Sequence, residues 1–203
     1  RYSLGLVAGV LGQIVLGGLT VLFDLTPALV MSHFLLSMAL LWCAVVLHHR
    51  AGRPDDDVEV VADDPELVRL SRLVMWAAAI VLVLGTVVTS SGPHGGDETA
   101  QRFGYDVADV ARFHGIAVVL FLLLVAYTLY GMTRTGASAE LVRRAEVLLF
   151  VLVAQTAVGY AQYFSDVPPV LVGIHIAGAA AVWVAVVWFR VGVGDVARVP
   201  VPT

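Results

Sequence analysis

Three histidines, His33, His114 and His175, stand inside long apolar runs of the chain, where an ionisable side chain is costly and marks a functional position by default. Two of them close a gap-free repeat. QIVLGGLTVLFDLTPALVMSH runs from Gln13 to His33, and QTAVGYAQYFSDVPPVLVGIH from Gln155 to His175. A constant offset of 142 sets Gln13 on Gln155, Gly17 on Gly159, Asp24 on Asp166, Pro27 on Pro169 and His33 on His175. Such register predicts two hairpins of one design, each presenting an imidazole. Neutral imidazoles that face one another across a helical bundle suit axial ligation of heme iron, and two filled axial positions favour electron transfer over oxygen binding. Zinc fits less well, because no carboxylate or thiolate shares that depth. A proton relay would want Asp or Glu alongside. The plain alternative is that the three rings only bridge neighbouring helices by hydrogen bonds.

The residues around them carry weaker signals. Gly17 and Gly159 each follow their glutamine by four positions, on one helical face; such a glycine permits close helix contact and beside a heme leaves room for a flat macrocycle. Gln13 and Gln155 read as donors of interhelical hydrogen bonds. Asp24 and Asp166 read as caps of the hairpin's second helix rather than catalytic groups. His48 and His49 close a helix next to Arg50, a favourable place for cations. His94, in GPHGGDE, reads either as a surface residue or as one lying over a cofactor. Arg102 and Arg112 fit pairing with a heme propionate and equally fit loop salt bridges to Asp97, Glu98, Asp106 or Asp109. Cys43 is the single cysteine, so no internal disulfide or cysteine-built metal site exists; mid-helix it reads as an inert buried thiol.

These residues must be positioned by membrane helices. Hydrophobic residues make up 59% of the chain and charged ones 14%, with mean hydropathy +0.88, about half the charge of a soluble domain. Six apolar segments are predicted near residues 3–23, 27–48, 73–91, 109–131, 145–165 and 169–189, each about long enough to cross 30 Å of hydrocarbon. The first and second segments, and the fifth and sixth, are joined by short Asp- and Pro-containing turns. At that spacing the three histidines lie about 8–9 Å below one surface. All 12 basic residues are Arg, and ten fall on the other side: Arg1, Arg50, Arg53, Arg69, Arg72, Arg134, Arg143, Arg144, Arg190 and Arg198. The positive-inside rule makes that side cytoplasmic, with both termini of the chain. Arg102 and Arg112 belong to the long outer connection from Ser90 to His114, a length that often carries function. RPDDDVEVVADDPE, Arg53 to Glu66, reads as a solvated acidic loop. The formal charge of −4 says little, since charge location matters more than charge sum in a bilayer protein; no nucleic-acid partner is expected. The chain opens at Arg1 and is apolar by Leu4, without a signal-peptide pattern, and is expected to lack upstream residues.

QIVLGGLTVLFDLTPALVMSHFLLSMALL, GTVVTSSGPHGGDETAQRFG with ARFHG, and AQTAVGYAQYFSDVPPVLVGIHIAGA together resemble the heme A synthase family, which oxidises a methyl group of heme O to the formyl of heme A. The likeness is nearest to actinobacterial-type members, whose outer loop lacks cysteines. It covers nearly the whole chain and is weakest in the acidic loop and at the C-terminus. The family has eight helices in two pseudo-symmetric four-helix halves. By that scheme the chain resembles helices three to eight: an all-α integral membrane protein of six transmembrane helices, comprising one complete four-helix bundle and the second hairpin of another. The expected parts are a hairpin over 1–50, an acidic loop over 51–72, a four-helix heme-binding bundle over 73–190 and a tail over 191–203. The resemblance implies heme b between His114 and His175, with Gly159, Arg102 and Arg112 around it, and His33 as ligand of the substrate heme. The family's first two helices, with a Glu-x-x-His-Arg-type motif, have no counterpart in the chain. It is therefore expected to be a fragment that binds heme without turning over.

Implied partners are heme O, membrane lipid, heme O synthase, oxidase assembly factors and further copies of the chain, in a bacterial plasma membrane. Two rival functions use the same residues. One is a bis-histidine b-type electron carrier without substrate chemistry. The other is a transporter or assembly factor whose histidines only bridge helices; transporters often carry internal repeats, although those usually break helices near the midplane.

Overall fold

The structure, a computed structural model, describes residues 2–52, 64–93 and 100–194. Every described element is helical: α1 (Tyr2–Leu22), α2 (Pro27–Ala51), α3 (Pro65–Ser91), α4 (Val107–Thr135), α5 (Ala139–Phe164) and α6 (Pro169–Val193). All six are long and apolar enough to cross a membrane, the make-up of a multi-pass membrane protein. The expected segments correspond one to one with these helices, but several helices run further than expected. α3 begins at Pro65 and α5 at Ala139, because apolarity marks where hydrocarbon begins and not where hydrogen bonding begins. Those extra turns are held by caps and ion pairs. Asp64 accepts from the Glu66 N–H at 2.9 Å and Ser138 from the Leu141 N–H at 3.4 Å. Arg69 meets Glu66 at 2.9 Å, and Arg143 meets Glu140 at 2.8 Å. The chain between α2 and α3 is thus shorter than the expected 51–72 loop, and Arg53 and most of the acidic run lie outside the described residues.

Helix ends follow local chemistry. Pro27, Pro65 and Pro169 open three helices, where a missing N–H has no partner to lose. Asp106 caps α4 by accepting from the Ala108 and Asp109 N–H groups at 2.8 and 3.2 Å. Gly136 closes that helix in the left-handed region at φ 71°.

The repeat extends to backbone conformation. Asp24 and Leu25 have φ of 51° and 55°, and Asp166 and Val167 have 58° and 56°. In both turns an N–H reaches back five residues to a carbonyl, Leu25 to Thr20 and Val167 to Gln162, each at 2.9 Å, the closing bond of a Schellman turn. Asp24 and Asp166 therefore do not cap the next helix: Thr26 and Pro168 hold those N-cap positions without a side-chain hydrogen bond. The two aspartates serve as residues that tolerate left-handed backbone.

Helices α3, α4, α5 and α6 close into a ring, each packed on the next and α6 back on α3. α2 packs along α6 and α3, tied by the Trp183 indole N–H donating to the Met38 carbonyl at 2.8 Å. α1 packs on α2 alone and leaves Leu4, Val7, Leu11 and Ile14 exposed. The ring is solid at the end where the arginines gather, with Val74, Met132, Leu148, Val186 and Phe189 almost fully buried. Toward the other end it opens.

Candidate functional site

The opening is a cavity of about 690 Å³ between α3, α4, α5 and α6, touched at one edge by α2, a size typical of small-molecule and cofactor sites. Its walls are chiefly apolar, with Ala78, Leu82, Val118, Phe121, Ile176 and Val182 among them. His114 on α4 and His175 on α6 both line it. They stand seven and six residues past the starts of their helices, and His33 six past the start of α2. The three histidines therefore stand at nearly equal distances from the starts of their helices.

Each ring rests on a glycine of the preceding helix. A Cβ built on Gly159 would lie 2.9 Å from His175 Cε1; on Gly85, 3.2 Å from His114 Cε1; on Gly17, 3.2 Å from His33 Cε1. The glycines thus permit the close helix contact expected of them, with an imidazole as the group that approaches. The space they leave is filled by the imidazole edge, although Gly159 and Gly85 also line the cavity. Gly85 was not anticipated from sequence. It lies 29 residues before His114, against 16 for the other two pairs, because the long outer connection intervenes. Its helix also lacks the guide glutamine, with Val81 in that place. The structure thereby turns a two-fold repeat into three hairpins sharing one glycine–histidine device.

The second nitrogen of each ring is held differently. The Gln155 amide nitrogen donates to the His175 carbonyl at 2.7 Å and stands 2.9 Å from His175 Nδ1. Nδ1 of His114 is buried, with the Val81 backbone as its neighbour. Gln13 donates to the His33 carbonyl at 3.2 Å and to the Ser37 hydroxyl, which donates in turn to the His33 carbonyl at 3.0 Å. His33 Nδ1 is buried without a partner. Both glutamines therefore make the interhelical hydrogen bonds expected of them.

The structure brings His114 and His175 together and leaves His33 apart. His33 does not line the cavity, although Val30, Met31 and Phe34 of the same helix do. At the mouth, Arg112 lines the cavity and forms an exposed ion pair with Asp109 at 3.2 Å. Arg102 donates to the Pro93 carbonyl at 2.8 Å, and Pro93 is part of the rim. The Gln162 side-chain oxygen, also at the rim, is buried and unpaired. His94, Asp97 and Glu98 lie outside the described residues. Cys43 is half-buried and free.

Among the described residues, no group of three or more His, Cys, Asp or Glu side chains could hold a metal ion on its own. Two opposed imidazoles suffice only where a ligand brings the remaining donors, as the four nitrogens of a porphyrin do. An apolar cavity and two imidazoles, each seated on a glycine, fit such a group. Comparisons with protein-family models, with curated proteins and with solved structures return no match.

Proposed function

We propose that the cavity between His114 and His175 is a heme b site and that the chain belongs to a heme A synthase of the bacterial plasma membrane, with its arginine-rich side and both termini cytoplasmic. The observation that carries this reading is the pair of imidazoles on opposed helices, each seated on a glycine and facing one apolar cavity. His114 and His175 would hold the heme iron, with Gly85 and Gly159 keeping their rings in place and the apolar walls excluding water. Arg112 and Arg102 stand where a carboxylate at the edge of the ligand would meet them. The Arg112–Asp109 pair is exposed, worth about 0–1 kcal/mol, so exchanging Asp109 for a ligand carboxylate costs little. When bound, the heme supplies one-electron chemistry at its iron; this chain supplies orientation, axial nitrogen and a dry environment. His33 would be the ligand for heme O, whose methyl carbon takes its formyl oxygen from one water as four electrons pass to an external electron acceptor and four protons to solvent. Heme O synthase and oxidase assembly factors are the partners this activity requires.

The test is heme binding by the purified chain. A low-spin bis-histidine spectrum with one heme per chain is expected, lost in His114→Ala and in His175→Ala and kept in His33→Ala. Full heme retention by the His114→Ala, His175→Ala double variant would overturn the site. Supplying heme O to membranes that contain the protein separates the enzyme, which yields a formyl-heme spectrum, from an electron carrier, which leaves the substrate unchanged.

A further inference from the structure

The two repeated hairpins keep the same glutamine, glycine and histidine, yet they route the glutamine amide differently. Two neighbouring positions account for the difference. Gly178 in α6 corresponds to Leu36 in α2, and Ala179 corresponds to Ser37. The Gln155 side-chain oxygen occupies the place where a Cβ on Gly178 would stand. Ala179 offers no hydroxyl, so the Gln155 amide turns to the ring and reaches His175 Nδ1 at 2.9 Å. In the first hairpin Leu36 fills the equivalent space. The Ser37 hydroxyl takes the Gln13 amide, and the amide never reaches the imidazole. Both Gln13 Oε1 and His33 Nδ1 are left buried and unpaired, a costly arrangement to keep.

We propose that Gln155 is a positioning residue that fixes the tautomer and orientation of His175, and that Ser37 diverts Gln13 so that the His33 ring stays uncommitted. The first hairpin thus presents an exchangeable imidazole and the second a fixed one. An amide N–H donated to Nδ1 keeps the His175 ring proton on Nε2 in the ligand-free chain, whereas no hydrogen bond at Nδ1 makes that selection for His33. Groups that orient a ligating imidazole ordinarily change metal affinity by about 10–100-fold. Resting on the heme reading above, the consequence is that His175 retains its ligand while His33 releases one readily. A residue that must take up heme O and give up heme A needs that difference; a resident cofactor does not.

The decisive experiment reads the rings without any heme. In the ligand-free chain, labelled with ¹⁵N at histidine and embedded in bilayers, His175 should give one neutral tautomer with Nδ1 unprotonated. His33 should give an exchange-averaged pair. Leu36→Gly with Ser37→Ala, which installs the second hairpin's arrangement in the first, should move the His33 signals onto those of His175. Ser37→Ala alone, which preserves packing, should move them the same way in part. Gln155→Leu should make His175 resemble unaltered His33 and, in the heme-loaded chain, speed heme loss about tenfold. Identical tautomer behaviour of His33 and His175 in the unaltered chain would overturn the proposal, as would His33 signals that stay put in both variants. If the chain takes up no heme at all, the reading of the site fails while the ring measurements still decide the role of Ser37.

Discussion

Gly159 and His175 are matched so closely that the Cβ missing from one would stand 2.9 Å from Cε1 of the other. That relationship occurs three times, in α1–α2, α3–α4 and α5–α6, and it converts a glycine, ordinarily a weak helix residue, into the seat of an imidazole. The cost of a helical glycine, about 1 kcal/mol relative to alanine, is accepted at each place where a ring must stand close to a helix backbone.

Gly159→Ala should therefore separate stability from ligation. Helix propensity gains about 1 kcal/mol while the His175 ring is pushed aside, so the melting temperature in detergent changes little and heme affinity falls at least about tenfold. Gly173→Ala in α6, where an added Cβ meets nothing within 4 Å, is the matched control. It should raise the melting temperature and leave the heme spectrum untouched. Equal heme titrations for the two variants would refute the seating role.

Trp183 is the direct side-chain tie between α6 and α2, through its 2.8 Å hydrogen bond to the Met38 carbonyl. Trp183→Phe keeps most of the ring packing and removes the donor. A loss of about 0.6–1.5 kcal/mol is expected, with faster amide exchange in α1 and α2 and unaltered exchange in α4 and α5.

Val167 carries a β-branched side chain at φ 56°, where an L residue is strained by about 1–2 kcal/mol. Val167→Gly should relieve that strain against the added chain entropy of glycine and stabilise the protein by up to about 1 kcal/mol. Leu25→Gly, its counterpart at φ 55°, should act in the same direction. Thermal unfolding in detergent checks both.

At the opposite end of the bundle Arg144 makes three different contacts. Its Nε meets Glu140 at 2.9 Å, a guanidinium N–H reaches the Trp188 carbonyl at 2.9 Å, and its plane lies 4.8 Å from the Trp188 ring centre. The side chain is 13% exposed and fills space left by Gly192. Lysine keeps the charge but cannot supply the planar fork. Arg144→Lys should cost about 1–3 kcal/mol, whereas Arg143→Lys, at an exposed pair, should cost about 0–1 kcal/mol.

Hydropathy, arginine placement and the 142-residue repeat are properties of consecutive residues. For that reason the membrane class, the six helices, the two short turns and the place of each histidine near the start of its helix were legible without the fold. Local pattern left open which imidazoles share a cavity; only the family likeness paired His114 with His175. His114 and His175 face one cavity because α3 to α6 close into a ring, and ring closure depends on packing between helices that no local pattern encodes. Gly85 stayed hidden because the long outer connection changes its distance from His114. The different settings of His33 and His175 stayed hidden because they turn on a competition in space: whether a serine hydroxyl or an imidazole nitrogen takes one glutamine amide is decided only when two helices bring all three groups within hydrogen-bonding reach.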